Sequence, residues 1–216
     1  MNKAFLTTKV TPVIVLILCS LLYLSGYFQI IIAAFLVLIA SAIEYRKDLF
    51  KSLGFQKKRM NLKDLLITAP LFSGGLFLIY SFVLVPGVTY LTGQEMDFSA
   101  FDSYNGSLSA TLGLLILMWA SAAFGEEIIF RGYLMRQFEK FFGNSKISLV
   151  LNIALLGVLF GFLHAYQGIT GQIVTGIVGV LLAIIFYLRK YDLWFNIAVH
   201  GFFDTIALVF IYKGWY

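Results

Sequence analysis

Charged residues and cysteines are scarce in this 216-residue chain. Only 12% of its residues are Asp, Glu, Lys or Arg, whereas 60% are hydrophobic and 17% are aromatic. A soluble domain contains about 25% charged residues, so a mean hydropathy of +0.89 excludes both a soluble globular protein and a disordered chain. The single cysteine, Cys19, excludes a disulfide framework. The apolar runs are continuous rather than alternating, which excludes a transmembrane β-barrel.

What the sequence does contain is a series of apolar runs separated by short polar segments. The runs cover residues 10–27, 28–43, 65–90, 108–125, 147–164, 172–188 and 194–212. A transmembrane helix needs about 20 apolar residues. The pattern therefore predicts an all-α polytopic transmembrane helix bundle of about seven or eight spans, forming a single membrane domain over residues 1–216. The eighth span would be a short or re-entrant element near Pro70 and residues 74–75.

The polar segments predict how the helices are oriented. Segment 44–64 contains seven Lys and Arg residues, and the segments near 136–146 and 189–190 are also basic. Segment 91–107 contains three acidic residues and no Lys or Arg. The positive-inside rule places the basic segments and the N-terminus in the cytoplasm. The net charge of +5 is thus explained by topology, and we expect no nucleic-acid partner.

The first apolar run resembles a signal peptide, because Lys3 and Lys9 precede it. No small-x-small cleavage site closes the run. We therefore expect a retained first helix, paired through Ser25 and Gly26 with the second helix.

Six ionisable residues lie within or against the apolar runs. They are Glu126, Glu127, Arg131, His164, His200 and Asp204. Each costs about 2.5–3.5 kcal/mol at membrane depth on insertion scales, so they must face one another or a wet cavity. If the helix from Leu108 continues to about Phe141, these groups reach similar depths in the cytoplasmic half of the bilayer. The pattern predicts a functional site, with a polar network that only fixes helix packing as the alternative.

The two adjacent glutamates are expected to have different roles. Glu127 and Arg131 are four residues apart, lie on one helix face and can pair. Glu126 lies about 100° around the helix, which leaves its carboxylate free to act as a general base.

The second helix that contributes to the site carries Phe160 and His164, again four residues apart. Phe160 is expected to form a wall of the pocket and to hold the imidazole ring. Gly161 between them predicts close approach of a neighbouring helix.

The last helix carries a polar stripe of Asn196, His200 and Asp204 at intervals of four residues. Asp204 is positioned to fix the tautomer of His200 or to supply an oxygen ligand. Asn196 is interpreted as structural, and Asn152 and Tyr133 are weaker site candidates.

A carboxylate and two histidines on three helices can activate water in two ways. In the first, His164, His200 and Glu126 hold a metal ion in a tetrahedral site. In the second, Glu126 acts as the base without a metal and the histidines stabilise the oxyanion. The sequence contains no HExxH, GxSxG, GxGxxG or P-loop motif, which argues against the common zinc-protease helix, serine hydrolases and nucleotide-binding proteins.

Three motifs together resemble a known family. Residues 126–131 read EExxxR, residues 160–164 read FxxxH, and residues 200–204 read HxxxD. This set is similar to the CAAX-protease and bacteriocin-processing family of intramembrane endopeptidases, also called the Abi family, which includes the Ras-converting CAAX prenyl protease type 2. The resemblance implies a catalytic core over 108–212, preceded by N-terminal helices over 1–107 with the basic cytoplasmic loop 44–64.

The resemblance also implies roles for the site residues. Glu126 would be the base that activates water, assisted by His164, whereas His200 and Asp204 would stabilise the oxyanion. Glu127, Arg131 and Phe160 would support them. The family accepts Asn or Asp at position 204, and the role of an Asp there stays open. The family is nominally one of metalloendopeptidases, so the cofactor is either a divalent metal, with zinc preferred, or none.

The implied activity is hydrolysis of a peptide bond in a membrane-associated, leader or bacteriocin-type peptide. The substrate is expected to enter from the membrane or the cytoplasmic side, in a bacterial cytoplasmic membrane. Two alternatives remain, a non-proteolytic membrane adaptor and a proton-coupled transporter. Against the transporter, no inverted repeat is detectable in the sequence.

Overall fold

The computed structural model describes residues 10–25, 29–56 and 60–215. These residues form eight α-helices and no strand, which confirms the predicted all-α polytopic helix bundle. The helices are α1 Thr11–Leu24, α2 Ile30–Tyr45, α3 Leu49–Leu53, α4 Asp64–Thr92, α5 Leu108–Phe142, α6 Lys146–Leu163, α7 Gly168–Leu188 and α8 Leu193–Lys213.

Five helices, α4 to α8, are long and apolar enough to cross a membrane, and the protein is an integral membrane protein. The first two apolar runs form helices α1 and α2 of only 14 and 16 residues, shorter than the other spans. The predicted eighth element near Pro70 is absent from the described residues, because α4 is continuous. A π-helical turn, Asp64–Thr68, precedes Pro70 and accommodates a residue that cannot donate a backbone hydrogen bond.

Helix α5 has 35 residues, about 52 Å at the helical rise, so it is longer than the hydrocarbon core of about 30 Å. It continues past Gly125 as the sequence analysis assumed. Asn152 of α6 donates to the carbonyl of Met135 on α5 at 2.9 Å, which places these two residues at one height. His164 lies twelve residues beyond Asn152, about 18 Å, and Glu126 lies nine residues before Met135, about 14 Å, so the two site residues reach similar heights.

The start of α8 is fixed by a turn around Gly54. The amide of Leu193 donates to the Gly54 carbonyl at 3.1 Å. Gly54 has a φ of +100°, and a Cβ atom there would lie 2.7 Å from the Tyr191 carbonyl oxygen, so only glycine fits. The Asp192 side chain caps the helix by accepting from the Phe195 amide at 3.3 Å. His200 is seven residues beyond Leu193, about 10 Å along the helix.

Helix α8 is surrounded by the other spans. The Ser73 hydroxyl of α4 donates to the Val199 carbonyl at 2.7 Å. On the α5 side, the Trp119 indole donates to the Thr205 hydroxyl at 3.2 Å. Within the polar stripe of α8, Asn196 is 0% and His200 5% exposed.

The connections between helices divide the bundle into two ends. At the basic end, Lys140 pairs with Glu44, and Arg189 pairs with Asp64 at 2.6 Å. At the opposite, acidic end, the amide of Asp97 donates to the Gln167 carbonyl at 3.0 Å. Lys57, Lys58 and Arg59 of the orientation prediction lie outside the described residues, as do Lys3, Lys9 and Gly26 of the first-helix prediction.

Candidate active site

A buried network around Glu127 joins α5 to α8. The Arg131 guanidinium donates to Glu127 Oε1 at 2.8 Å, and His200 Nδ1 donates to the same oxygen at 2.9 Å. Asn196 donates to Glu127 Oε2 at 2.6 Å. Glu127 and Asn196 are 0% exposed. The Glu127–Arg131 pair that the spacing predicts is therefore present, and it also holds the His200 ring.

Arg131 extends this network to two further helices. Its second terminal nitrogen donates to the Gly179 carbonyl of α7 at 2.7 Å. Its guanidinium lies over the Phe160 ring of α6, 4.9 Å from the ring centroid. Gly179 permits this packing, because a Cβ atom there would lie 3.0 Å from the Phe160 side chain. One cation thus connects α5, α6, α7 and, through Glu127, α8.

Glu126 does not take part in that network. Its Oε2 lies 4.0 Å from His200 Nε2, beyond hydrogen-bond range, and has no hydrogen-bond partner within the described part of the chain. Asp204 Oδ2 lies 3.6 Å from the same nitrogen and also has no partner among the described residues. Two carboxyl groups, Glu126 buried and Asp204 partly buried, therefore face one imidazole nitrogen without contacting it. The α5 backbone is π-helical on both sides, over Trp119–Glu126 and Ile128–Leu134, a distortion frequent at functional sites.

His164 completes the group from the end of α6. Its Nδ1 lies 2.8 Å from the Phe160 carbonyl oxygen. Because a carbonyl oxygen only accepts, Nδ1 carries the hydrogen, and Nε2 of the neutral ring is an acceptor. The Phe160 ring lies 4.9 Å from the His164 ring and 6.1 Å from the His200 ring, measured between centroids. The Phe160 ring therefore packs close to both imidazoles.

The cavity that these groups line has a volume of about 270 Å³. Glu126, Phe160, His164, His200 and Asp204 all line it, so the three sequence motifs converge. An apolar pocket of about 230 Å³ adjoins it and shares the wall residues Tyr80, Phe98, Ala207 and Ile211.

The cavity also has residues that the sequence analysis missed. They include Met96, Phe98, Phe101, Tyr166, Gln167 and Thr175. Their spacing in the sequence does not identify them as cavity residues. The only available signal was the presence of aromatic residues in an otherwise polar, acidic loop.

Three weaker candidates have structural roles or lie apart from the cavity. Asn152 contacts the Met135 carbonyl, and Tyr133 is 0% exposed; neither lines the cavity. Asn196 does not line the cavity either, but it holds Glu127.

The metal alternative can be tested on the side-chain arrangement. Among the described residues, no group of three or more His, Cys, Asp and Glu side chains could hold a metal ion. The set that the sequence analysis considered, His164, His200 and Glu126, therefore does not form a ready-made metal site. His200 Nδ1 donates to Glu127, which leaves Nε2 as the only possible ligand atom of this ring. The described side chains therefore do not present three ligands to one metal ion.

The family comparison agrees with the geometry. Residues 107–206 match the family described as Rce1-like, type II CAAX prenyl endopeptidase, which confirms the resemblance seen in the sequence. The matched segment contains all three motifs, and the match implies CAAX-type intramembrane endopeptidase activity. No curated protein and no solved structure matches the chain.

Proposed function

We propose that this protein is an intramembrane endopeptidase in which Glu126 activates the attacking water. The observation that carries the proposal is the division of the two glutamates. Glu127 is neutralised by Arg131, whereas Glu126, one residue earlier, faces the cavity without a partner among the described residues. A general base must present a lone pair to the proton that it removes. Glu126 satisfies this requirement and Glu127 does not.

The catalytic cycle follows from the positions of the groups. Glu126 takes a proton from water, and the hydroxide adds to the scissile carbonyl. His164 Nε2, an acceptor in the neutral ring, helps to orient that water. Collapse of the tetrahedral intermediate breaks the C–N bond, and Glu126 returns the proton to the leaving amine. The roles of base and acid thus belong to one carboxyl group at successive steps.

The oxyanion is stabilised on the opposite side by His200 and Asp204. His200 donates through Nδ1 to Glu127, so its Nε2 is the atom that meets the cavity. Nε2 lies 4.0 Å from the Glu126 oxygen and 3.6 Å from the Asp204 oxygen, distances that suit a bridging water or substrate atom. Three acceptors cannot face one another without protons. With Glu126 ionised as the base, the proton of the cluster lies on Nε2 or Asp204, and it is available to the oxyanion.

The substrate is a peptide that is associated with the membrane, of the leader or bacteriocin type. The site lies at membrane depth between α5, α6 and α8, and the adjoining pocket is lined largely by aromatic and aliphatic side chains. A site of this kind favours a scissile bond flanked by large apolar groups.

The experiment is a cleavage assay with the purified protein in detergent or nanodiscs. A library of apolar peptides is incubated with the protein, and the products are identified by mass spectrometry. Glu126→Gln keeps the shape of the side chain but removes the base, so cleavage should fall at least about a hundredfold. The control is Asp48→Asn, which removes an exposed carboxylate at the basic end, away from the cavity, and should keep full activity.

Equal cleavage by Glu126→Gln and the unchanged protein would reject Glu126 as the base. Two other results would favour the remaining alternatives. A cellular function that persists in Glu126→Gln would favour the adaptor, and ion flux in proteoliposomes without cleavage would favour the transporter.

A further inference from the structure

We propose that the basic end of the bundle binds the phosphate group of an anionic phospholipid, in a cleft that is separate from the active-site cavity. The cleft has a volume of about 430 Å³. Its walls come from the ends of α2 and α5, from α3 and from the turn before α6. None of the described residues that line the cleft also lines the active-site cavity, so the proposal does not depend on the protease activity.

The cleft wall carries an excess of positive charge. Lys51, Arg136 and Lys140 contribute three cations, and Glu139 contributes the one carboxylate among the described lining residues. Glu44, which pairs with Lys140, is not a lining residue, and its side chain is only 1% exposed. Cations outnumber carboxylates even when Glu44 is counted, so the cleft favours an anion. A basic pocket between transmembrane helices is a known kind of site for anionic lipid headgroups.

Arg136 is held in a fixed position, while most of its hydrogen-bond donors remain unused. Its guanidinium lies over the Tyr191 ring, 3.7 Å from the ring centroid. Its one hydrogen bond to the described residues goes to Glu139 at 3.3 Å, and Glu139 also accepts from the Tyr191 hydroxyl at 2.6 Å. A guanidinium has five N–H donors, and the Arg136 side chain is 25% exposed. This planar group can therefore donate to a phosphate that enters the cleft.

Three further side chains of the wall offer donors to the same anion. Lys51 is exposed and makes no ion pair within the described part of the chain. Ser52 and Asn144 also line the cleft, and their side chains make no hydrogen bond to the described residues. An ammonium, a hydroxyl and an amide are all suitable donors to phosphate oxygens. The donors come from α3 and from the turn before α6, so one phosphate could connect these two segments to α5.

The surface beside the cleft favours a phospholipid over a soluble phosphate. Phe142, which immediately precedes the cleft residue Gly143, is 68% exposed. Helix α6 follows this turn, and the side chains of Ile147, Leu151 and Val158 on one of its faces are exposed. From the first to the last of these positions the face extends about 16 Å along the helix. A phosphate in the cleft therefore has apolar surface next to it, against which acyl chains can pack.

The bound lipid should stabilise the bundle, because the cleft joins segments that also position the active site. Lys51 and Ser52 lie on α3 just before Gly54, whose carbonyl accepts from the first amide of α8. Arg136 lies on α5, the helix that carries Glu126. A ligand that binds only the folded state raises its stability as the ligand concentration rises. Lipid binding should therefore raise the temperature at which the protein aggregates.

The test measures lipid binding to the purified protein in an uncharged detergent, after bound lipid has been removed. Phosphatidylglycerol and phosphatidylcholine with identical acyl chains are titrated separately, and the bound lipid molecules are counted by native mass spectrometry. A second arm uses glycerol 3-phosphate, which supplies the phosphate without acyl chains. The elution profile after heating reports on stability in both arms.

The variants remove one or two charges from the cleft. Lys51→Gln should weaken phosphatidylglycerol binding about fivefold, and Lys51→Gln combined with Arg136→Gln should weaken it about twentyfold. The matched control is Lys63→Gln, which removes an exposed lysine of the basic end that does not line the cleft. It should weaken binding by less than about twofold, because exposed charges outside the cleft are screened by salt. Since Lys51 makes no ion pair with the described residues, the single variant stays informative if the double variant aggregates.

We expect one phosphatidylglycerol molecule per chain, bound at least about tenfold more tightly than phosphatidylcholine, and a higher aggregation temperature in its presence. Equal affinity for the two lipids would overturn the proposal. Equal losses in Lys51→Gln and Lys63→Gln would show that general surface charge binds the lipid, and would reject the cleft. Stabilisation by glycerol 3-phosphate as strong as that by the lipid would identify a soluble phosphate as the ligand, and would reject the phospholipid.

The lipid site and the protease can fail independently. Glu126→Gln should bind phosphatidylglycerol as the unchanged protein does, because Glu126 does not line the cleft. Loss of binding in Glu126→Gln would contradict the separation of the two sites. Absent peptide cleavage with intact lipid binding would reject the protease proposal and leave the lipid site supported.

Discussion

Removal of Arg131 should destabilise the whole bundle, and not only the active site. In Arg131→Ala, the carboxylate of Glu127 would stay 0% exposed and lose the guanidinium that pairs with it. Removing one member of a buried pair costs about 3–5 kcal/mol. The Gly179 carbonyl and the Phe160 ring would lose their contacts as well, which places the expected loss towards the upper value.

The expected loss in the free energy of unfolding can be compared with the total stability of a protein domain. Natural domains are stable by about 5–15 kcal/mol, so a loss of 3–5 kcal/mol reduces the ratio of folded to unfolded protein by about two to four orders of magnitude. Arg131→Ala should therefore accumulate poorly, and in detergent it should aggregate at a much lower temperature than the unchanged protein. The assay is the elution profile after heating, read over a series of temperatures.

A second variant distinguishes the effect of the stranded charge on stability from the effect of the lost side-chain volume. Glu127→Gln combined with Arg131→Met removes both charges, keeps most of the volume and leaves an amide oxygen to accept from His200 or Asn196. Replacing both members of a buried pair is often close to neutral, so the double variant should regain most of the lost thermal stability. It should not regain activity, because the charge that holds His200 is gone.

Normal accumulation and normal thermal stability of Arg131→Ala, with only cleavage lost, would refute this reasoning. That result would mean that Arg131 contacts the substrate. A double variant as unstable as Arg131→Ala would show that the stranded charge is not the cause of the loss.

Two further predictions concern the third motif and helix packing. Asp204→Asn should keep the cleavage rate within about tenfold of the unchanged protein, because Glu127 already orients His200 and an amide can donate to the oxyanion. A loss above about a hundredfold in the peptide assay would show that Asp204 acts as a carboxylate. Gly161→Ala should lower the free energy of unfolding by about 1–3 kcal/mol, because the added Cβ atom overlaps the α7 backbone. The loss should appear as a lower temperature of aggregation in the heating assay. Gly74→Ala is its control, since nothing lies within 4 Å of a Cβ there, and equal stability of the two variants would contradict the packing argument.

The convergence of the motifs could be predicted because isolated ionisable residues are so costly in a membrane. That cost requires Glu126, His164, His200 and Asp204 to share one cavity, and the cavity contains all four. The pairing of Glu127 with Arg131 follows from their spacing on one helix. Helix geometry and the cost of burying charged groups were sufficient to predict these features from the sequence.

Other features depend on contacts between distant segments and leave no periodic signal. The sequence offered Asp204 as the group that orients His200, because the two are one turn apart on α8. In the structure Glu127, 73 residues away, binds His200 Nδ1 instead. The loop over residues 93–107 is a similar case, since the side chain of Met96 is buried only because this loop folds over the cavity. The expected break at Pro70 is absent, because the π-helical turn that precedes it leaves no backbone acceptor waiting for the N–H group that proline lacks.

The adjacency of Glu126 and Glu127 explains why one short motif can contribute to both stability and chemistry. Neighbouring side chains on a helix point about 100° apart, so one carboxylate can enter the buried layer while the next faces the cavity. Arg131 neutralises Glu127, and both side chains are almost fully buried beneath the cavity. The same Glu127 oxygen also accepts from His200, which orients the imidazole so that Nε2 faces the cavity. A single ion pair therefore contributes both to the packing of the buried layer and to the orientation of the ring that we propose for the chemistry.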